Sequence, residues 1–370
     1  MHIEELIFNN YRNYSQLNIN LHSKMNVFVG KNAQGKTNIL ESIYLLSTGK
    51  SHRSSKDQEM IKWGQENAFV KGNIIVENKR KVIEIGLSKS QKKKIKVNGV
   101  ALKKIGDLLG QVHTVLFSPE DLKLVKEGPS ERRNFLDQEI SNLRPRYYYS
   151  LIEYHKILQQ RNSLLKRMKM ENSLRDTLYV WDQQLIESGS KIVLTRIYFL
   201  KKINQIAKKL HEEITDNLEK LELFYQSTIL SNKEDIKNIR DVFQEKLRKN
   251  KDIDIQRGTT TIGPHRDDIK INVNQIDIRS FGSQGQQRTA ALSLKLSIFE
   301  LIYSEIGEYP ILLLDDVMSE LDENRQKKLM NNLKSVQSFI TCTDLGFLEK
   351  IYPLENQIYR VNNGEVCMLS

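Results

Sequence analysis

Two clusters of residues carry chemistry, and most of the chain lies between them. The first is Gly30-Lys31-Asn32-Ala33-Gln34-Gly35-Lys36-Thr37, which fits the G-x-x-x-x-G-K-[ST] phosphate loop. Glycines at 30 and 35 let backbone approach phosphate oxygens closely. Lys36 is suited to reach the β- and γ-phosphates of a nucleotide, and Thr37 to hold Mg²⁺. The second cluster is Asp315-Asp316, at the end of the apolar run Ile311–Leu314. An acidic pair at a strand end orients Mg²⁺ or its water through Asp315 and polarises an attacking water through Asp316. Taken singly, the first cluster reads also as a Gly-bounded surface turn and the second as an ordinary strand exit. Together they point to nucleotide binding. Ser283-Gln284-Gly285-Gln286-Gln287-Arg288 is a weaker signal: Ser283 and Gly285 open a helical run and offer backbone N–H groups to an anion.

These residues need elements to hold them. Val27–Val29 predicts a buried strand feeding the phosphate loop, and Asn38–Leu46 a helix leaving it. Residues 2–8 and 16–21 predict strands, the second with Leu17, Ile19 and Leu21 on one face. Between them, Arg12 lies near a bound phosphate with Tyr11 or Tyr14 beside a base, or the tyrosines simply pack. Ser51-His52-Arg53-Ser54 suits a phosphate or DNA-backbone contact, or a solvated loop. Residues 68–100 predict a β-meander with a turn at Asn98-Gly99. Its dense basic tract, Lys89, Lys92, Lys93, Lys94 and Lys96, fits phosphate neutralisation on DNA or a charged edge strand. Val112–Phe117 is a core strand, and Ser130 marks the start of a helix.

From Pro145 to Asn250 Gly and Pro almost vanish. Leu178, Trp181, Leu185, Ile192, Leu200, Ile203, Ile206, Leu210, Ile214 and Leu218 recur at helical spacing. This predicts long amphipathic helices paired antiparallel, with a turn near Met168–Asn172. Beyond them, Asp268–Val273 and Gln275–Arg279 alternate as strands. His265, Arg266 and Asp267 in GPHRDD form either a polar site or a salt-bridged corner. The last core strand, Phe339–Ile340, leads to Thr341 and Thr343, where a γ-phosphate could be sensed. Two closing strands surround Asn363-Gly364.

At 370 residues the chain exceeds the usual size of one core, so two or more lobes are expected. It is 39% hydrophobic and 28% charged, as a globular protein is. Lys and Arg outnumber Asp and Glu by 57 to 46, a formal charge of +11, which favours a polyanionic partner. Cys342 and Cys367 form no disulfide framework or zinc motif. The N-terminal stretch lacks the apolar core of a secretory signal, and no apolar run is long enough for a membrane span. A cytosolic protein without a membrane partner is expected.

The motif set resembles the RecF family, bacterial DNA-repair ATPases of the ABC/SMC-like class. GKNAQGKT is similar to its Walker A loop, SQGQQR to its signature motif, LLLDD to its Walker B strand and SELD to its D-loop. LFSPEDL, GPSERRNFLD and GPHRDD look like stretches particular to that family. The resemblance implies an α/β fold. An ABC-type ATPase head with mixed sheets would be split over residues 1–143 and 253–370, with a helical lobe like a truncated SMC arm at 144–252. It implies ATP and Mg²⁺ as ligands and an ATP-dependent homodimer. In that dimer Ser283, Gly285 and Gln286 of one molecule cover the nucleotide held by Gly30 to Thr37 of the other, and Asp322 links the two sites. It implies DNA (single-stranded, duplex or gapped) as partner, together with RecR, RecO and RecA in a nucleoid-associated cytoplasmic setting. Two departures matter. Asp316 stands where ABC/SMC proteins carry Glu, which predicts slow turnover, and the resemblance implies that this turnover is DNA-dependent. No switch histidine follows the last strand, and Gln111 is a weak candidate for the glutamine loop. An SMC-type chromosome-structuring ATPase would need longer arms and a hinge. A non-hydrolysing scaffold would not need Lys36, Thr37 and Asp315 intact.

Overall fold

A parallel strand covered on both faces reads as an unbroken apolar run, and Met25–Val29 is such a strand, buried almost throughout. The computed structural model describes residues 1–171, 176–230, 233–320, 325–326, 336–346 and 356–369. Packing divides the chain into two units, Met1–Asp121 with Ile298–Ser370, and Leu122–Ser297.

The first unit begins with a hairpin, β1 (His2–Tyr11) and β2 (Tyr14–Asn20), followed by β3 (Met25–Val29) and α1 (Lys36–Thr48). Then come β4 (Asn67–Val76), β5 (Lys79–Ser88), β6 (Lys94–Val97), β7 (Val100–Ala101) and β8 (Thr114–Phe117). An antiparallel sheet forms in the order β2-β1-β4-β5-β6-β7. The β6–β7 turn has Asn98 at φ 50° and Gly99 at φ 80°, the left-handed pair of a type I′ hairpin. Helix α1 is buried all round from Ile39 to Thr48, so it is a core helix and not an amphipathic surface one.

In the second unit, α2 (Lys123–Lys126) and α3 (Pro129–Leu143) precede α4 (Pro145–Met168) and α5 (Leu178–Ile214). Helix α3 opens one residue before Ser130, on Pro129 with Gly128 as cap, because the fixed φ of Pro suits a first helical position. α4 and α5 span about 36 and 55 Å at 1.5 Å per residue. They run antiparallel, Arg161 facing Asp182 and Tyr147 facing Arg196. The helical reading of 145–250 fails in one place. Leu218 lies past the end of α5 and is 79% exposed, and β9 (Leu221–Gln226) follows, pairing with β10. α6 (Ile236–Lys249) and α7 (Lys251–Arg257) complete the helices before β10 (Asp268–Val273). Only Ile276–Asp277 of the expected second strand is extended (β11). Asp277 caps a helical turn, α8 (Ile278–Phe281), by accepting from Arg279 N at 2.9 Å. α9 (Gln284–Ile306) follows.

The chain then returns to the first unit with β12 (Ile311–Asp315), β13 (Ser338–Cys342), β14 (Asn356–Asn362) and β15 (Glu365–Met368). A second sheet forms in the order β15-β14-β3-β13-β12-β8, parallel except for β15. The packing boundaries at 121/122 and 297/298 differ from the motif boundaries at 143/144 and 252/253. The reason is that α3, β10 and the start of α9 bury against the arm helices: Arg196 of α5 bonds Asp137 of α3, and His211 of α5 meets Ser293 of α9. Among the described residues no helix is long and apolar enough to cross a membrane.

Arg161 and Arg196, both fully buried, pin the second unit. Arg161 bonds Asp182 and Asp254 at 2.7 Å each, and Thr260 at 2.8 Å. Arg196 reaches Asp137 at 2.7 Å, Tyr147 Oη at 2.9 Å and Pro264 O at 2.7 Å. Removing one partner of such a buried pair leaves an uncompensated charge, at a cost of about 3–5 kcal/mol. Arg196→Met is therefore expected to lower the urea midpoint by that order of stability with an unchanged slope, measured by circular dichroism.

Candidate functional site

Ligands of open α/β sheets sit beyond the carboxyl ends of parallel strands. At that edge, β3, β13 and β12 lie side by side, and their last residues meet. Thr37 Oγ1 donates to Asp315 Oδ1 at 2.8 Å, and Thr341 Oγ1 donates to the same oxygen at 2.9 Å. Asp316 N donates to Thr341 Oγ1 at 2.9 Å, and Asp316 adopts φ 52°, a left-handed turn out of the strand. The phosphate loop and the acidic strand, remote in sequence, are thus one site. Burial pushes the Asp315 carboxyl above its ordinary range and neighbouring Asp316 adds to this, against the two hydroxyl bonds. Thr37 and Asp315 present hard oxygens to one point, the donor chemistry Mg²⁺ takes beside nucleotide phosphates. Among the described residues no cluster of three or more His, Cys, Asp or Glu side chains forms a separate metal cage.

The loop itself is braced from three directions. Lys36 is buried, its ammonium donating to Gly30 O at 2.8 Å and Lys31 O at 3.0 Å across the cradle. Lys31, Asn32 and Ala33 are exposed at the tip, Ala33 with φ 64°. Gln34 O accepts from Asn13 Nδ2 at 2.9 Å and from Gly364 N at 3.1 Å, and Gln34 Oε1 accepts from Asn363 N at 2.7 Å. Tyr14 Oη donates to Gly35 O at 3.0 Å. Gly35 sits at φ 115°, and a Cβ there would lie 2.7 Å from Asn13 Nδ2. One on Gly30 would lie 2.3 Å from Val361 O. Gly30 is required by packing against backbone, and Gly35 by its left-handed φ.

Several expected roles change. Tyr11 and Tyr14 are fully buried, so they pack and do not lie beside a base. Arg12 is held by Glu41 at 2.8 and 2.5 Å, Ser54 Oγ at 2.7 Å and Glu59 O at 2.6 Å, so it braces α1 and does not reach for phosphate. Burial raises the Glu41 carboxyl, but bonds from Arg12 and Ser51 outweigh it and hold the group below its ordinary value. Thr341 is buried with its hydroxyl spent on Asp315 and Asp316, so it is a brace and not a phosphate sensor, while Thr343 is exposed. Gln111 precedes β8 at the amino edge of the sheet and bonds locally to Leu108 O and Asp107 O, away from the carboxyl edge where the site forms. It does not serve as a glutamine loop. His265 bonds Tyr154 Oη at 2.6 Å and Thr260 O at 3.1 Å, and burial lowers it to about 4. GPHRDD is a structural corner, with Gly263, Pro264 and Asp267 buried and Arg266 exposed.

In the second unit, Ser283 caps α9. Its Oγ accepts from Gln286 N at 3.2 Å while Gln286 Oε1 accepts from Ser283 N at 3.0 Å. This is a capping box, legible as S-x-x-Q but not anticipated from the sequence. Ser283 is exposed and Gly285 partly so. Asp322 lies outside the described residues, as does the helix expected to run to Leu333.

The fold and the phosphate-loop/acidic-strand pair define an ATPase head of the ABC/SMC kind. The RecF/RecN/SMC N-terminal domain family matches residues 2–367. The chain is 48% identical to the DNA replication and repair protein RecF of Alkaliphilus oremlandii over 367 residues, 99% of this chain and 100% of that one. It therefore belongs to the RecF family of DNA replication and repair proteins. A solved structure of the recombination mediator protein RecF-ATP in the RecFOR pathway has TM-score 0.93 at 40% identity and covers 100% of this chain and 98% of that one. An Smc head bound to the C-winged helix domain of ScpA shares the fold, at TM-score 0.59 and 15% identity, over 100% of this chain and 98% of that one.

The raised Asp315 carboxyl carries a prediction with opposite signs for stability and binding. An acid whose folded pKa is raised costs stability when ionised, and the cost is relieved as pH falls through the raised value. Asp315→Asn is expected to leave the nucleotide-free chain at least as stable at pH 7, with a smaller pH dependence. The increase in melting temperature caused by ATP with Mg²⁺ should disappear. Thermal melts from pH 5 to 8, with and without ATP and Mg²⁺, check both signs.

Proposed function

We propose that the chain is an ATP-gated DNA-binding protein of recombinational repair and replication maintenance, acting in the cytoplasm at the nucleoid. The observation that carries this reading is the convergence of Thr37, Asp315 and Thr341 on one oxygen in a RecF-family chain. ATP enters the Gly30–Thr37 cradle, and Lys36 exchanges two carbonyl partners for phosphate oxygens. Thr37 and Asp315 would hold Mg²⁺, which would supply positive charge beside the phosphates. Asp316 orients the attacking water. Its carboxylate is one methylene shorter than the usual Glu, and turnover is correspondingly slow.

Ser283 supports a site completed by a second molecule. In its cap the Oγ acts as acceptor, which leaves the hydroxyl proton to donate to an anion. Ser283 and the Gly285 N–H of one molecule cover the γ-phosphate held by the other, and Asp322 links the two sites. Nucleotide then favours the dimer because only the closed state completes its contacts. The functional segments are residues 1–143 and 253–370 for the split head and 144–252 for the arm. Lys92, Lys94 and Lys96 are exposed along the β-meander and neutralise DNA phosphates, whereas Lys93 is paired with Asp57 at 2.7 Å and Lys89 lies 3.4 Å from Glu66. DNA in single-stranded, duplex or gapped form is the target. RecR is the direct protein partner, and RecO and RecA act in the same pathway to load recombinase at gaps.

Light scattering of the full chain tests the dimer. The parent is expected to double in mass with ATP and Mg²⁺. Lys36→Ala should stay monomeric through loss of ATP, and Ser283→Arg should bind ATP yet stay monomeric. An unchanged parental mass would sink this mechanism. Turnover on gapped DNA, abolished by Asp316→Asn, checks the catalytic assignment.

A further inference from the structure

Beyond the cap of α9, the signature segment is anchored to the arm by a run of side chains. Gln286 uses its carbonyl on Ser283 N, and its amide nitrogen donates to Glu219 Oε1 at 3.0 Å. The other carboxylate oxygen, Glu219 Oε2, is 3.3 Å from Nε2 of His211. His211 is fully buried in the last turn of α5, and its Nδ1 is 3.0 Å from Ser293 Oγ on α9. Ser293 Oγ in turn donates to Thr289 O at 2.8 Å. The circuit runs from the first turn of α9 through Glu219 and the end of α5 and back into α9.

Glu219 is itself held stiffly. Asp216 and Asn217 both take left-handed backbone, at φ 53° and 63°, in the turn that ends α5. Thr215 Oγ1 donates to His211 O at 2.7 Å and accepts from Glu219 N at 3.3 Å. The next residue, Lys220, donates its N–H to Asn274 Oδ1 at 2.8 Å, and Asn274 N donates back to Lys220 O at 2.9 Å. A carboxylate that accepts a bond from α9 and packs against the His211 ring of α5, set on a turn of this kind, transmits position.

We infer that Glu219 and Gln286 are positioning residues that set the orientation of Ser283 from the C-terminal turn of arm helix α5. This rests on the proposed contact of Ser283 with the nucleotide of a second molecule. Gln286 cannot follow a displaced Glu219 without turning its amide, and that turn removes the acceptor from Ser283 N. A shift of the arm end therefore opens the signature cap. The consequence is a regulated site: whatever binds along the arm biases completion of the ATP dimer through Glu219.

The test uses the full chain with Glu219→Ala, Glu219→Gln and Gln286→Ala. Binding of a fluorescent ATP analogue to the monomer should stay within about twofold of the parent, since the phosphate loop belongs to the other unit. The concentration for half-maximal ATP-dependent dimerisation should rise about tenfold or more in Glu219→Ala and Gln286→Ala, within the usual range of coupling between sites. Glu219→Gln keeps an acceptor for the Gln286 amide and should dimerise close to the parent. Parental dimerisation in both alanine variants overturns the inference. So does equal loss in all three variants, or loss of analogue binding along with dimerisation. Thermal melts verify folding, and Gln286→Ala keeps the test open if Glu219→Ala unfolds. A parental chain that stays monomeric with ATP refutes the two-molecule site and this inference with it, whereas a dimerising parent with parental alanine variants overturns the inference alone.

Discussion

One carboxylate oxygen, Asp315 Oδ1, holds the candidate nucleotide site together. Two hydroxyls, from Thr37 and Thr341, donate to it from strand and helix ends that are neighbours only through the fold. A buried carboxylate is costly unless its lone pairs are satisfied. Here the satisfying groups are the residues that define the site, so geometry and solvation are one constraint. The sheet order follows from it. β13 must lie between β3 and β12 for Thr341 to reach both acidic residues.

The two units use charge differently. In the second unit, arginines at the centre of the arm choose partners on several elements at once, which fixes the register of α4 against α5. Such buried pairs contribute little net stability compared with apolar packing, but they penalise a shifted arrangement. In the first unit the Lys89–Lys96 tract stays at the surface. Lys93 and Lys89 have acidic neighbours in Asp57 and Glu66, while Lys94 and Lys96 share the exposed face of β6 and Lys92 precedes it. Only the second pattern suits a mobile polyanion, because exposed ammonium groups exchange counter-ions freely.

The candidate nucleotide site was legible because glycine, lysine and hydroxyl spacing in phosphate loops is set by the phosphate and varies little with context. Strand β12 and helix α1 were legible from apolar runs beside those motifs. β9 was not: Leu218 continued the helical period, and the left-handed turn at Asp216–Asn217 that ends α5 leaves a weak local trace. The tyrosines and Arg12 misled for a similar reason. A polar-aromatic loop next to a phosphate loop has the composition of a ligand contact, and only burial against Glu41 reveals it as scaffolding. Thr341 stood out as a strand-end hydroxyl but for the wrong role, since bracing the two acids depends on sheet pairing.

The place of β3 in its sheet has a consequence for synthesis. Its two neighbours, β13 and β14, lie about three hundred residues further along the chain. At roughly 5–20 residues per second, an apolar strand made at the start waits about 15–60 s for its partners. During that interval the early antiparallel sheet can close, since β1, β2, β4 and β5 are near in sequence, but the nucleotide cradle cannot. The nascent chain therefore passes through a stage with a finished hairpin layer and an open, sticky strand edge. That stage is where chaperone capture and aggregation compete.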